Sequence, residues 1–501
     1  MRKRSQETRP WLLVLALLTA MALVAAACGG DDADDGEGTD EGTEEGTDEG
    51  TDEESDSDDG DEDAMEDEDE GAMEDEDGEA MVDGATINVA IVQNPQMEDI
   101  VELTPSLYTE ESGVTVNYTI LPENELREIT TRDVATEGEQ FDVVMIGLYE
   151  APQFGREGWL ADITDQAAND ADWNQADVFP AIIEGLSFEG SLYAAPFYAE
   201  SSFLVYREDI FEEAGLTMPE RPTWEEVDAF ARELDGDDIN GICLRGVPGW
   251  GNQGAAFTTV LNTFGGTWWL ANDDGSIGAS QVDQPEFRDA LEFYISLTQE
   301  AGVPDPLTVS FPECATLYRE GEVAMWYDAT SAASVLEATD SDVAGLNGYV
   351  PAPVNVTENS GWLWAWSLAV AETSEHKDAA WDFISWATGP EYIAAAGELI
   401  DGGWANIPPG TRESTYAIEA YREVAPFADP TLQAMSEAPV DNPGTTPRPG
   451  LPGVQFVGVP EFQEVGNFCT GEFGEVIGSG NLDGLDDAIA ACHEFASRFS
   501  S

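Results

Sequence analysis

The sequence predicts an α/β fold. From residue 85 onward β-branched runs alternate with helix-like segments, and no Gly/Ser-rich linker separates them. Strand alternating with helix gives a parallel sheet with crossover helices. Three runs carry this reading: ATINVAIVQ at 85–93, VTVNYTILP at 114–122 and FDVVMIGLYEAP at 141–152. Helix-like sequence fills 97–113 and 123–138 between them. Ligands of such sheets sit outside the carboxyl ends of the strands. That rim holds Asn94, Gln96, Glu123, Tyr149 and Glu150.

The residues before 85 read differently. Arg2, Lys3 and Arg4 precede an apolar run of 15 residues, WLLVLALLTAMALVA, and then Ala25–Ala27 and Cys28. The run is short for a membrane span and is followed by acid, so residues 1–27 read as an export signal. Cysteine after small residues resembles a lipoprotein signal, in which Cys28 carries the lipid, although Ala25 stands where leucine is usual. Residues 31–83 hold 31 acids, no Lys or Arg and little apolar matter. Such a segment cannot bury enough surface to fold, so 28–84 is expected to be an acidic, disordered tether.

Beyond the tether, 71 acids face 14 bases, a balance of −57, and Lys377 is the only lysine. So much like charge repels itself in dilute buffer and is screened in strong salt. The expectation is adaptation to a salty medium, and nucleic acid is excluded as a partner. Four cysteines remain. Cys469 and Cys492 are close in sequence and are expected to pair, leaving Cys243 with Cys314; free buried thiols are the alternative. With two histidines far from the cysteines, no metal site or cofactor is called for.

In the middle of the chain, residues 185–215 turn at Glu189–Gly190 and run through AAPFYAESS into a strand and a helix. Thr223 with Glu226 three residues later is a capping box for a helix over 222–235. Residues 240–269 read as a strand, a Gly-rich loop and a helix, and their glycines match no phosphate-binding pattern. An amphipathic helix covers 284–302, and 311–334 is a helix and then a strand ending at Trp326, Tyr327 and Asp328. GWLWAWS at 361–367 sets Trp362, Trp364 and Trp366 on one face of a strand, since side chains alternate with period two. An indole pairs a flat apolar face with an N–H donor, which suits a sugar or polyol as well as it suits a core. A helix follows to 396, then the loop GGWANIPPG and a last helix over 481–499.

These stretches together resemble extracellular solute-binding proteins of ABC importers, and within them the sorbitol/mannitol (polyol) binders. The likeness is carried by FDVVMIGLYEAPQFGREGWL, LYAAPFYAESSFLVYR, GICLRGVPGWG, GEVAMWYDAT, GWLWAWSLAV and GGWANIPPGTR, and it spans about 85–500. The resemblance implies a two-lobed periplasmic-binding-protein-like fold with discontinuous lobes and a hinged ligand cleft. The first lobe would take 85–197 and 330–398, the second 198–329 and 399–501. Crossings would fall near Phe197–Ser201, Asp328–Thr330 and Leu399–Trp404. It further implies delivery of a polyol or sugar to an ABC permease by a monomer held by its lipid at the outer face of the membrane.

Such a cleft needs acceptors, donors and aromatic walls. Glu200 and Asp328 are the candidate acceptors and Arg245 the donor fork. Trp250, Trp326, Trp364 and Trp404 are candidate walls, Asn406 an amide, Tyr149 and Glu150 contacts after the third strand, and Asn94 and Gln96 weaker candidates. Trp362 and Trp366 are assigned to packing or the hinge, Arg245 to the solute or else to a structural pair with an acid. A disaccharide binder and a secreted carbohydrate-active enzyme are the competing readings, and a purely structural surface protein a third.

Overall fold

The computed structural model describes Val82 and residues 84–501 except Asp401. The export signal, Cys28 and nearly all of the acidic tether lie outside the described residues.

Two sheets organise the chain. The first begins as expected, with β1 (Thr86–Val92), β2 (Thr115–Leu121) and β3 (Val143–Gly147) parallel and in the order β2-β1-β3. α1 (Pro95–Thr104) follows β1, capped by Asn94, whose side chain accepts from the Met97 N–H. α2 (Glu123–Ala135) follows β2, and α3 (Glu150–Glu157) follows β3. The sheet is mixed rather than all parallel. β4 (Ala195–Glu200) and a strand from much later in the chain complete it, both running antiparallel to their neighbours.

At Ser201 the chain leaves this sheet and enters the second one as β5 (Ser202–Arg207). α4 (Trp224–Leu234) carries the Thr223–Glu226 capping box as predicted, and β6 (Asn240–Cys243) follows. α5 (Gln253–Thr263), α6 (Pro285–Ala301) and α7 (Phe311–Arg319) lead to β7 (Val323–Ala329). A short helix, α8 (Ala332–Leu336), and β8 (Asn347–Pro351) come next. The second sheet has the order β8-β5-β7-β6. The chain then returns to the first sheet as β9 (Trp364–Val370), followed by α9 (Lys377–Ala387) and α10 (Pro390–Leu399), which split at Gly389–Pro390.

Two of the expected lobe boundaries are corrected. Residues 330–398 were assigned to the first lobe, but β8 pairs with β5, and α8 packs on α7. The crossing back therefore lies in 352–363, just before β9. The crossing placed at Leu399–Trp404 also falls later. Buried Arg412 donates to the Thr388 carbonyl at 3.0 Å and lies over Trp173, which ties the segment around 412 to the first lobe. α11 (Ala428–Glu437) packs on β8 and β5. α12 (Glu461–Ser479) and α13 (Leu485–Ala496) finish the chain beside α5 and α6.

The chain leaves the first sheet at Ser201, between Glu200 and Ser202. Thr330 N donates to the Ser201 carbonyl at 2.8 Å and Ser201 N donates to Thr330 Oγ1 at 3.1 Å, so the strand exits at Ser201 and Thr330 are bonded side by side. Both disulfides are formed, Cys243–Cys314 and Cys469–Cys492.

Candidate functional site

Register builds the centre of the site. In the β4–β9 pair, Trp364 lies opposite Glu200 and Trp366 opposite Tyr198. Paired residues share a face, so one face carries two indoles, a carboxylate and a phenol. Gly147 on β3 completes the arrangement, because a Cβ there would collide with the Trp364 ring.

This face closes one side of a cavity of about 310 Å³. Glu123 and Arg127 of α2 enter from the first lobe. Arg245, Trp250 and Asn252 enter from the loop after β6, with Phe311 and Glu313 from the start of α7. Trp362, Trp364 and Trp366 all line it, and Trp362 and Trp366, assigned to packing or the hinge, also pack on Tyr327 and Trp364. Alternation had put the three on one face, and that face is the cavity wall.

Arg127 is the pivot and was not singled out from the sequence. It is 6% exposed and its guanidinium lies 4.2, 5.1 and 4.6 Å from the rings of Trp250, Trp364 and Trp366. It pairs with Glu150 and, at 2.9 Å, with Glu123. Burial opposes its charge, but the two carboxylates outweigh that and hold its pKa above the usual value. The Glu123–Arg127 spacing of four residues on a helix is the signal that could have found it.

Arg245 is 6% exposed. Its Nε and Nη2 donate to the two oxygens of Asp328 at 2.8 and 2.6 Å, and its Nη1 donates to the Gly251 carbonyl and lies 3.7 Å from Glu123. Burial works against its charge, and the Asp328 carboxylate more than offsets this. The planar fork expected to face a ligand is thus taken by Asp328, which lies behind Arg245 and outside the cavity lining. What faces inward is the Nη1 side.

Glu200 is 5% exposed and lines the cavity. Ser331 Oγ donates to its Oε2 at 2.5 Å. Among the described residues it forms no ion pair, unlike Glu123, Glu150 and Asp328. Burial pushes its carboxyl up to about 8, against the Ser331 hydrogen bond and the charge of Arg245. Tyr198 accepts a hydrogen bond from Asn94 Nδ2 at 2.8 Å, so its own O–H is left to donate. Burial raises its pKa well above the ordinary value.

The lobes meet at one rim of the cavity. Asn124 Nδ2 donates to the Pro248 carbonyl at 2.9 Å, and Asn252 Nδ2 donates to Asn124 Oδ1 at 3.0 Å. Gly251 permits this approach: a Cβ there would stand 2.5 Å from Glu123 Oε1 and 2.8 Å from Arg127 Nε.

Of the residues named from the sequence, Asn94, Glu200, Arg245, Trp250 and Trp364 line the cavity. The other candidates do not. Glu150 sits behind Arg127 and accepts from the Gly147 N–H. Tyr149 packs on Trp250 with ring centroids 4.5 Å apart, and its hydroxyl donates to the Val459 carbonyl, so it joins the lobes. Gln96 donates to Ser334 Oγ. Trp326 is fully buried against Phe311 and Tyr318. Asn406 donates to Asp99, and the ring of Trp404 covers Gly397 on α10. Arg127, Tyr198, Asn252, Ser331 and Gln455 line the cavity without having been put forward as ligand contacts, and Glu123, placed at the strand rim from the sequence, lines it too.

The arrangement offers hydroxyl acceptors, hydroxyl donors and indole walls to a small uncharged solute. It agrees with what the chain resembles. The family described as bacterial extracellular solute-binding protein matches residues 81–394. A mannitol-binding protein of Pseudomonas aeruginosa is 38% identical over 424 residues, 82% of this chain and 92% of that one. An erythritol/L-threitol-binding protein of Mycolicibacterium smegmatis is 27% identical over 64% of this chain and 69% of its own. The crystal structure of an ABC transporter solute-binding protein from Agrobacterium vitis with bound D-mannitol superposes with a TM-score of 0.78 at 39% identity, covering 83% of this chain and 98% of that one.

Proposed function

The chain belongs to the bacterial extracellular solute-binding protein family, and from that premise we propose that it binds an acyclic polyol, a hexitol such as D-mannitol or D-sorbitol, between its lobes and delivers it to an ABC permease. The observation that carries this is the cavity: about 310 Å³, walled by Trp250, Trp362, Trp364 and Trp366, with Glu200, Tyr198 and Arg245 at its polar side. Its volume is at the small end for ligand sites, which favours a hexitol over a disaccharide. Glu200 accepts from solute hydroxyls, while Tyr198 and the Nη1 side of Arg245 donate to them. Asp328 holds Arg245 in place, and Glu150 and Glu123 do the same for Arg127. Cys28 carries a lipid, and the acidic tether lets the lobes reach the permease from the outer face of the membrane. The acidic surface suits strong salt.

Calorimetry in high salt with a panel of hexitols, pentitols, hexoses and disaccharides tests the solute. The hexitols are expected to bind tightest. A disaccharide favoured by about a hundredfold, near 3 kcal/mol, contradicts the reading. Product analysis after incubation with oligosaccharides separates a binder from an enzyme, and any turnover counts against binding alone.

Affinity is expected to rise with pH up to about 8. A solute hydroxyl donates to the ionised carboxylate of Glu200, so binding favours that form and releases a proton below its pKa. Titrations at pH 6 and pH 8 in buffers of different ionisation heat measure the release; a flat profile removes Glu200 from the contact.

Closure depends on Gly251. Gly251→Val is expected to weaken binding by about five- to a hundredfold, the effect of 1–3 kcal/mol of overpacking. The added side chain meets Glu123 and Arg127 only when the lobes are together. An affinity equal to wild type would mean that this contact is absent from the bound state.

A further inference from the structure

Besides the Tyr198 phenol and Glu313, which is exposed and caps α7 through Ser310, six charged side chains converge on the cavity or stand directly behind its wall. Arg127 and Arg245 are the cations; Glu123, Glu150, Glu200 and Asp328 are the acids. Three of the four acids are paired with the two guanidiniums. Glu200 is the fourth, and its partner is the hydroxyl of Ser331. It is also buried and lines the cavity, whereas Glu150 and Asp328 do not. A buried carboxylate without a cation is costly, and it either stays protonated or finds a positive partner. The indole walls favour a cation as well.

We propose that the cavity also takes cationic amino alditols, polyols in which one hydroxyl is replaced by a protonated amine, with Glu200 as the counter-charge. The inference rests on the polyol reading above. The ammonium donates to Glu200 as a hydroxyl would and adds the charge that the cluster lacks. Where Glu200 was protonated before binding, its proton leaves to solvent. The groups around Glu200 are Tyr198 on its own strand, Ser331 and Asp328 from β7 and the turn after it, Arg245 after β6 and Glu123 on α2. Of these only Arg245 is cationic, and it is already committed to Asp328. An aldonate, with a carboxylate at the same end of the chain, meets this acidic excess and is rejected.

The test is calorimetry on the full chain in strong salt with three solutes of one carbon skeleton: D-mannitol, 1-amino-1-deoxy-D-mannitol and D-mannonate. At pH 7 the amine is expected to bind within about tenfold of mannitol, and mannonate at least about a hundredfold more weakly. In Glu200→Gln both mannitol and the amine weaken, and the ratio of amine to mannitol affinity falls by about a hundredfold, because the ammonium is then buried without a counter-charge. If mannitol binds and the amine is more than tenfold weaker, the proposal is overturned while the polyol reading stands. If the amine binds but its ratio to mannitol is unmoved in Glu200→Gln, the counter-charge is not Glu200 and the proposal is overturned. If mannitol itself does not bind, the polyol reading fails and this inference with it.

Discussion

Arg127→Met is expected to lower the stability of the fold by about 3–5 kcal/mol and to reduce solute affinity by at least about a hundredfold. Methionine keeps the length and apolar character of the arginine stem but removes the charge. Glu150, 3% exposed, is then left as a buried carboxylate with only the Gly147 N–H for company, and Glu123 loses its 2.9 Å partner. Breaking one side of a buried pair costs more than the pair contributes, because the remaining charge has lost both water and partner. The indoles of Trp250, Trp364 and Trp366 also lose the planar cation that they surround, and with it the packing that fixes their angles toward the cavity. Salt does not rescue the variant, since buried pairs are screened far less than surface ones. Denaturant unfolding in strong salt measures the first effect and calorimetry the second. An unchanged unfolding midpoint would mean that the network around Arg127 carries no stability.

Arg245→Ala is expected to weaken solute binding by about 2–5 kcal/mol, roughly thirty- to several-thousandfold. Two losses combine. The solute loses the donor on the Nη1 side, and a solute hydroxyl buried against that gap goes unpaired. Asp328, 2% exposed, keeps the Ala329 N–H at 2.7 Å but no cation. Arg245→Lys separates the two contributions. It keeps the charge but cannot present two parallel N–H groups to Asp328, so its affinity falls between alanine and wild type. If alanine at this position binds as tightly as arginine, Arg245 is a structural pair for Asp328 and has no part in the site.

Much of the fold is local in origin and was therefore readable. The runs at 85–93, 114–122 and 141–152 alternate with helices over a short stretch, and each strand pairs with a neighbour close in sequence. The Thr223–Glu226 box needed four residues to be recognised. What was hidden is long-range. Glu200 and Trp364 are 164 residues apart and meet because β4 and β9 pair in one register. The tryptophan alternation announced a common face without saying what stood opposite. Asn347–Pro351 looked like a continuation of the first lobe because nothing local marks which of two sheets a short strand will join.

The site was legible as a set of residue types more than as roles. Glu200, Arg245 and Asp328 were named, but the sequence had no way to show that Asp328 stands outside the cavity lining, takes the fork of Arg245 and leaves only one side of it inward. Tyr149 and Glu150 do follow the third strand, yet α3 begins at Glu150 and turns its carboxylate toward Gly147 N and Arg127. Arg127 was missed because it lies one helical turn inside α2, whereas attention fell on the ends of strands. Trp404 and Asn406 come from a loop that ties to α10 and α1, where Asn406 meets Asp99. Their chemistry is that of a cleft; their place is not.

The most direct measurement is the crystal structure of the chain grown in strong salt with D-mannitol. The solute is expected in the cavity between the lobes, against the faces of Trp362, Trp364 and Trp366, with hydroxyls within hydrogen-bond distance of Glu200, Tyr198 and the Nη1 of Arg245. A solute bound elsewhere, or one in the cavity that leaves Glu200 and Arg245 untouched, would contradict the account.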